Sequence, residues 1–240
     1  MEDFHLSVAV DDGLALFAII DGHGGPECAA FFADTLPLLV RNAIRAGNAW
    51  GPALSTALEQ CGAQWDSLPS SPRTCGCVAT AVLVSALDYA VAHVGDCGLM
   101  ASTDGSAEHR GRMVTRPHHL SDEAEVQRVR AAGGRIEDGR VLGVLKPTRA
   151  FGNLDVRALV GGNALISDAD VCEGSVELDE HGCGFLVLAS DGVWDALDEN
   201  KVAKVVSSVL GRTSSPSQAA KAVALLAARC ALFNRKRSHI

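Results

Sequence analysis

Two segments of this 240-residue sequence put carboxylates where a buried site could use them. Asp21-Gly22-His23-Gly24-Gly25 follows the apolar run Phe17–Ile20, so a strand end there presents a carboxylate, a backbone carbonyl and an imidazole. Phe185–Ala189, equally apolar, leads into Ser190-Asp191-Gly192-Val193-Trp194-Asp195, where Asp195 follows Asp191 by one helical turn. Asp-Gly is among the commonest turn dipeptides, and either segment alone reads equally well as a turn. Two apolar strands that both finish in Asp-Gly can bring carboxylates together, and such a cluster is tolerable only when cations neutralise it. Hard divalent ions such as Mg²⁺ or Mn²⁺ take oxygen ligands, so aspartates plus one backbone carbonyl make a suitable shell. Glu2-Asp3, opening a strand expected beside Phe17–Ile20, could add two more acids, and Gly95-Asp96 ends a third apolar strand, Tyr89–Val94. Their recurrence at strand ends is the signal, because any one of them reads as a solvated turn residue.

The elements that must carry these residues follow from spacing. His5–Val10 and Leu14–Ile20 flank Asp11-Asp12-Gly13 and predict a hairpin, as do Cys77–Ala86 and Tyr89–Val94 around Leu87-Asp88. Leu99–Ser102 and Arg112–Thr115 around Asp104-Gly105 suggest a third. Helices are expected from Glu27, with Pro37 bending or dividing the first, and over Pro52–Trp65, Asp122–Ala132, Glu199–Leu210 and Pro216–Leu232. Ser121 is the expected N-cap of the third, and Phe185–Ala189 reads as a buried strand. Hairpins in place of regular strand-helix alternation predict antiparallel sheets with helices packed outside them, in a single domain over residues 1–240.

Composition narrows the function. Apolar residues make up 48% of the chain, enough for a real core, and 29 acidic against 21 basic side chains give a net charge of -8. That balance disfavours a phosphate-backbone binder, so no nucleic-acid partner is expected. The longest apolar run, Leu14–Ile20, is too short to cross a bilayer, and no membrane association is expected. Eight cysteines without a Cys-x-x-Cys pair read as small buried hydrophobes in a reducing compartment, and Cys75-x-Cys77 needs no redox role. The expected location is cytoplasmic, with Arg235-Lys236-Arg237 a basic run too short to choose a nuclear signal over a solvated tail. His118-His119, beside Pro117, reads as a surface turn. No Gly-x-Ser-x-Gly nucleophile elbow is present.

Met1-Glu2-Asp3, Asp21-Gly22-His23-Gly24-Gly25, Gly76-Cys77-Val78-Ala79-Thr80-Ala81, Val94-Gly95-Asp96, Thr148-Arg149-Ala150-Phe151-Gly152 and Leu188–Asp195 occur in one order, with Glu125–Gly134 as a helix-and-glycine segment before the fifth. In that order they resemble the type 2C metal-dependent protein serine/threonine phosphatases. The resemblance implies an α+β fold, a four-layer α-β-β-α sandwich with two central antiparallel sheets, and a centre of two Mg²⁺ or Mn²⁺ ions acting on a phosphoprotein substrate. By it Asp21 would bridge the ions, the Gly22 carbonyl and Glu2 would serve one, and Asp191 the other. Asp3 would hold a water of the metal shell, His23 would protonate the leaving alkoxide, and Asp96 and Asp195 would join Asp191 in a weaker third site. A monomer is expected.

Several positions depart from the family pattern. An arginine usually stands a few residues before the Met-Glu-Asp block, and a Gly-Ser-x-Asp-Asn block near the carboxyl end, where this sequence reads Cys230–Ile240 without that aspartate. Cys97-Gly98 replaces Ser-Arg, Pro117-His118-His119 replaces Asp-His-Lys, and Asn153 stands where the Thr-Arg-Ala-Phe-Gly block usually continues to Asp. The expectation is a domain incomplete at both ends with one metal position weakened. An active enzyme in shortened form and a catalytically silent relative that binds phosphoproteins or partners both remain open.

Overall fold

The computed structural model describes residues 2–103, 111–159, 163–178 and 183–237, with side chains through residue 231. Its elements are β1 (Phe4–Asp11), β2 (Leu14–His23), α1 (Glu27–Arg45), α2 (Trp50–Ser67), β3 (Gly76–Ser85), β4 (Asp88–Val94), β5 (Gly98–Ser102), β6 (Gly111–Met113), α3 (Glu123–Ala131), β7 (Ile136–Glu137), β8 (Arg140–Val141), β9 (Phe151–Gly152), α4 (Leu154–Leu159), β10 (Asp170–Ser175), β11 (Leu186–Ala189), α5 (Asp191–Trp194), α6 (Glu199–Thr213) and α7 (Pro216–Arg237). They form two compact units. The first joins the chain up to Cys97 with Thr115–Gly174, and the second joins Gly98–Val114 with the chain from Ser175 onward. The class is α+β.

The first unit is built on a sheet in the order β1-β2-β3-β4-β10, with β9 pairing the start of β3. Both expected hairpins are present: β1 and β2 pair antiparallel from Phe4↔Ile20 to Asp11↔Leu14, and β3 and β4 from Ala79↔Val94 to Ser85↔Asp88. Strand alternation sends Leu16, Ala18 and Ile20 of β2 to one face, with Ala79, Ala81 and Leu83 of β3 and Ala92 and Val94 of β4. Phe32 and Leu36 of α1 and Leu54 and Leu58 of α2 cover that face. Ile19 and Val78 face the other way and pack with Val129, Val141 and Leu165. The same alternation puts Asp21 and His23 on this second face.

One local expectation is narrowed and one is corrected. Helix α1 runs undivided through Pro37. Proline forfeits one backbone hydrogen bond there, but Cys28, Ala29, Phe32, Leu36 and Val40 keep one continuous buried stripe, and that packing outweighs the lost bond. The N-cap of α3 is Asp122, not Ser121: Asp122 Oδ1 accepts the Ala124 N–H at 3.0 Å, while Ser121 Oγ lies 3.0 Å from His119 Nδ1.

In the second unit the sheet order is β11-β5-β6, all antiparallel, over a core of Met100, Val202, Ala203, Val206, Ala219 and Val223. The strand expected to be buried, β11, is half-buried at Leu186–Leu188, because among the described residues it pairs on one side only; the central β5 is the buried one. The turn expected at Asp104-Gly105 lies outside the described residues, though its flanks β5 and β6 do pair. Helix α7 continues to Arg237, and the side chains of Arg235-Lys236-Arg237 are outside the described set. All eight cysteines are free thiols. Five are buried, whereas Cys172 and Cys230 are half-buried and Cys183 is exposed, which corrects their uniform reading as core residues. Among the described residues, no helix is long and apolar enough to cross a membrane.

The loop-rich half of the first unit is held by one buried acid. Glu125 Oε2 accepts from Thr148 Oγ1 at 2.6 Å and from Arg128 at 2.8 Å, and its Oε1 accepts from Arg149 Nη2 at 2.7 Å. Arg149 also reaches Asp170 Oδ1 at 2.9 Å, tying the Thr-Arg-Ala-Phe-Gly block to β10. Burial alone would raise the Glu125 carboxyl, but the hydrogen bonds from Arg149, Arg128 and Thr148 together outweigh it and pull the pKa from 4.5 to about 2. A carboxylate depressed on folding contributes stability that is complete above its unfolded pKa and lost as pH falls toward its folded one. Urea unfolding should therefore show a contribution of about 3 kcal/mol disappearing between about pH 4.5 and pH 2. Glu125→Ala should lose about 3–5 kcal/mol at pH 7, since it strands two guanidinium groups, and its stability should be flatter across that acid window.

Candidate active site

Asp21, Gly22 and His23 were expected just beyond a strand end, but β2 runs through all three. They pair with β3 as Asp21↔Val78, Gly22↔Cys77 and His23↔Gly76. The strand continues because β3 extends to Gly76 and supplies ladder partners for the whole motif. Continuing the β1–β2 register past Phe4↔Ile20 sets Asp3 opposite Asp21 and Glu2 opposite Gly22. The packing agrees with this register: a Cβ on Gly22 would fall 2.7 Å from the Glu2 carbonyl oxygen and 3.0 Å from Ala29 Cβ. Only glycine lets the Glu2 backbone and α1 approach this closely. Glu2, Asp3, Asp21 and the Gly22 carbonyl thus share one corner of the sheet, and their oxygen-only chemistry fits a hard divalent cation.

His23 is held by a residue far away in sequence. Its Nε2 lies 2.7 Å from Asn153 Oδ1. Asn153 is 2% exposed, its Nδ2 donates to the Thr74 carbonyl at 3.3 Å, and its backbone N–H donates to the Cys75 carbonyl at 2.9 Å. The pair sits directly over Gly76, where a Cβ would lie 2.7 Å from His23 Nε2 and closer still to Asn153 Oδ1. The preceding residues aim Asn153. Phe151 is inserted against Phe32 with ring centroids 4.6 Å apart, Gly62 on α2 leaves room for its ring, and β9 pairs Phe151↔Cys77 and Gly152↔Gly76. Gly152 and Asn153 then take φ +70° and +51°, a region open to glycine and tolerated by asparagine.

The remaining acids are placed as follows. Asp96 follows β4 and is 9% exposed, with Lys146 Nζ 3.8 Å from its Oδ2. Asp191 and Asp195 belong to the second unit, where they bracket the single turn of α5. The Asp195 N–H donates to the Asp191 carbonyl at 2.8 Å, and Trp194 Nε1 donates to the Ala189 carbonyl at 2.8 Å, pinning that turn to the end of β11.

His118, expected at the surface, is 2% exposed. Its Nδ1 accepts the Gly95 N–H at 3.0 Å, its Nε2 lies 3.1 Å from Asp170 Oδ2, and its ring stacks on His93 at 4.5 Å. Burial lowers the pKa of both imidazoles, that of His93 to about 3. His93, His118 and Asp170 offer three donor atoms within 4.8 Å of one another, a candidate metal-binding group. Two imidazoles suit a softer ion than Mg²⁺, and the group is already engaged: Gly95 occupies the His118 Nδ1 lone pair and Arg149 holds Asp170. Its geometry serves the polar core more directly than it serves a hard cation.

Residues 1–232 match the family profile described as Protein phosphatase 2C. The chain belongs to that family. It is 28% identical over 239 residues to "Probable protein phosphatase 2C 2" of Oryza sativa subsp. japonica, covering 92% of this chain and 59% of the relative. It is 33% identical over 221 residues to "Probable protein phosphatase 1N" of Mus musculus, covering 88% and 53%. The chain therefore spans little more than half the length of these relatives. Among solved structures, a serine-threonine phosphatase 2C from Toxoplasma gondii aligns with TM-score 0.75 at 17% identity, covering 97% of this chain and 86% of that one. A Caenorhabditis elegans sex determining protein aligns with TM-score 0.79 at 23% identity, covering 95% and 58%. Both likenesses bear on fold.

Within this family chain, the residues that sequence reading passed over are Gly76, which appeared only inside a strand motif, and Asn153, noted only as a departure. The signal available was the pair Gly152-Asn153, which reads as a positive-φ turn and so as a place where a side chain is aimed. Gly76→Ala should displace His23 from Asn153 and cost about 1–3 kcal/mol from overpacking, whereas Gly47→Ala, at a positive-φ position with open space around it, should move no site residue. Thermal melts and the His23 ring resonances of the two variants compare these outcomes.

Proposed function

We propose that this chain hydrolyses phosphoserine and phosphothreonine in proteins with Mg²⁺ or Mn²⁺. The observation that carries this reading is the corner where the β1–β2 register, continued past Phe4↔Ile20, sets Asp3 opposite Asp21 and Glu2 opposite Gly22, with the Glu2 backbone packed on Gly22. Asp21, the Gly22 carbonyl and Glu2 are the residues suited to hold a cation there, and Asp3 to orient a water. When bound, divalent cations acidify water and offset phosphoryl charge. His23, near that corner on the same strand face as Asp21, protonates the leaving alkoxide, a general-acid role that an imidazole can fill. Asp191 and Asp195 are further hard donors, and their assignment to cations, like that of Asp96, rests on the family pattern alone; a weakened second position is part of the same reading. Lys146 Nζ, 3.8 Å from Asp96 Oδ2, offsets part of the Asp96 charge.

Cys97-Gly98, where the family usually has Ser-Arg, favours a second reading, a catalytically silent relative that binds phosphoproteins. One assay separates the two. With p-nitrophenyl phosphate and a phosphothreonine peptide, turnover should require Mn²⁺ or Mg²⁺, stop on chelation, and fall by roughly 100-fold or more in Asp21→Ala. Binding of the phosphopeptide without turnover would favour the silent relative, and turnover indifferent to metal or to Asp21 would overturn the proposal.

A further inference from the structure

We propose that Asn153 is the positioning residue for His23, committing Nε2 as a donor inside the protein and leaving Nδ1 as the ring atom that delivers the proton. The inference rests on the phosphatase reading for what the proton does, and on the hydrogen bonds alone for where it sits. Asn153 cannot turn its amide over: Nδ2 faces the Thr74 carbonyl, so Oδ1, an acceptor only, is the atom 2.7 Å from the ring. His23 Nε2 must then carry hydrogen in the neutral and the charged ring alike. Among the described residues the His23 ring makes no other hydrogen bond, so Nδ1 is the atom left for chemistry.

The surroundings over-determine this arrangement. Gly76 opens the space beneath the pair, the Asn153 N–H is tied to the Cys75 carbonyl, and the positive φ of residues 152 and 153 turns the side chain toward β2. An aspartate at 153 would still accept from Nε2, but it would set a carboxylate oxygen against the Thr74 carbonyl. As the oxygen of a water molecule bonds to phosphorus, the bond from phosphorus to the serine or threonine oxygen breaks with its electron pair on that oxygen. That oxygen takes the proton from Nδ1, leaving a neutral ring still protonated at Nε2, and a proton released by the attacking water returns the ring to its starting state. The products are the free hydroxyl and inorganic phosphate.

Two measurements on the full chain test this. The first is the nitrogen-15 spectrum of the His23 ring, assigned by comparison with His23→Gln. Hydrogen on Nε2 in the parent and loss of that fixed tautomer in Asn153→Gly are expected, and hydrogen on Nδ1 of the neutral ring in the parent overturns the proposal. Asn153→Gly suits the test because glycine accepts φ +51° without strain. The second is the leaving-group comparison with Mn²⁺ present. A peptide alkoxide needs the proton and p-nitrophenolate does not, so Asn153→Gly should lower kcat about tenfold on the phosphothreonine peptide and no more than about twofold on p-nitrophenyl phosphate. Asn153→Asp, which keeps an acceptor for Nε2, should recover most of the peptide rate. Equal losses on both substrates would make Asn153 merely structural, and no loss on either would also overturn its role. If the parent hydrolyses neither ester, the phosphatase reading and the proton-delivery step fall together, while the nitrogen spectrum still decides the hydrogen bond on its own.

Discussion

Three strands meet at position 76, where there is room for a hydrogen atom and nothing larger. On one side β2 brings His23 opposite Gly76, on the other β9 brings Gly152, and above them the His23 ring and the Asn153 amide make their contact. The site corner depends on this closeness. The β2–β3 ladder that keeps Asp21 and Gly22 in extended backbone ends here, and the chain that aims Asn153 is anchored a few ångströms away by Phe151 among the aromatic side chains under the sheet. A candidate site at the end of a sheet would ordinarily sit on a mobile loop. In this protein it is part of the ladder, so its geometry is as firm as the core that backs it.

Charge is handled in two ways. In the loop-rich half of the first unit, the buried carboxylate of Glu125 is neutralised by guanidinium groups built into the fold, which also fix the Thr-Arg-Ala-Phe-Gly block and Asp170. Asp170 in turn lies against His118, which stacks on His93, so a line of polar contacts reaches from α3 to β4 without a net cation to spare. At the other corner the donors are carboxylates and a carbonyl gathered by strand register, a set whose chemistry asks for a divalent cation from outside. Arginine holds the frame together, and oxygen donors make up the candidate centre.

Much of this was legible in the sequence where the information is local. The β1–β2 and β3–β4 hairpins follow from alternation around short polar turns, and the helices from buried positions at helical spacing. The Asp-Gly motifs were found because apolar runs precede them. What escaped was set by distant partners. His118 looks like part of a polar, proline-containing loop, and nothing nearby shows that its ring lies on His93 and accepts from Gly95. Asn153 reads as a family departure until its amide is seen against His23, 130 residues away in sequence. The strand β10, Asp170–Ser175, is mostly exposed and lacks the apolar alternation that would mark it. Pro37 as a divider of α1 and Ser121 as a cap misled for a similar reason: a local rule was outweighed by a packed helix face in one case and by a better-placed neighbouring carboxylate in the other.

The central claim is that the β1–β2 corner, with Asp21 at its middle, is where a hard cation binds. Titrating Mn²⁺ into the full chain and following the free ion by electron paramagnetic resonance tests it most directly, with Asp21→Asn and His118→Phe alongside the parent. Saturable Mn²⁺ uptake that is nearly abolished by Asp21→Asn and retained by His118→Phe is the predicted result. Undiminished uptake by Asp21→Asn, or loss of uptake only in His118→Phe, would contradict it.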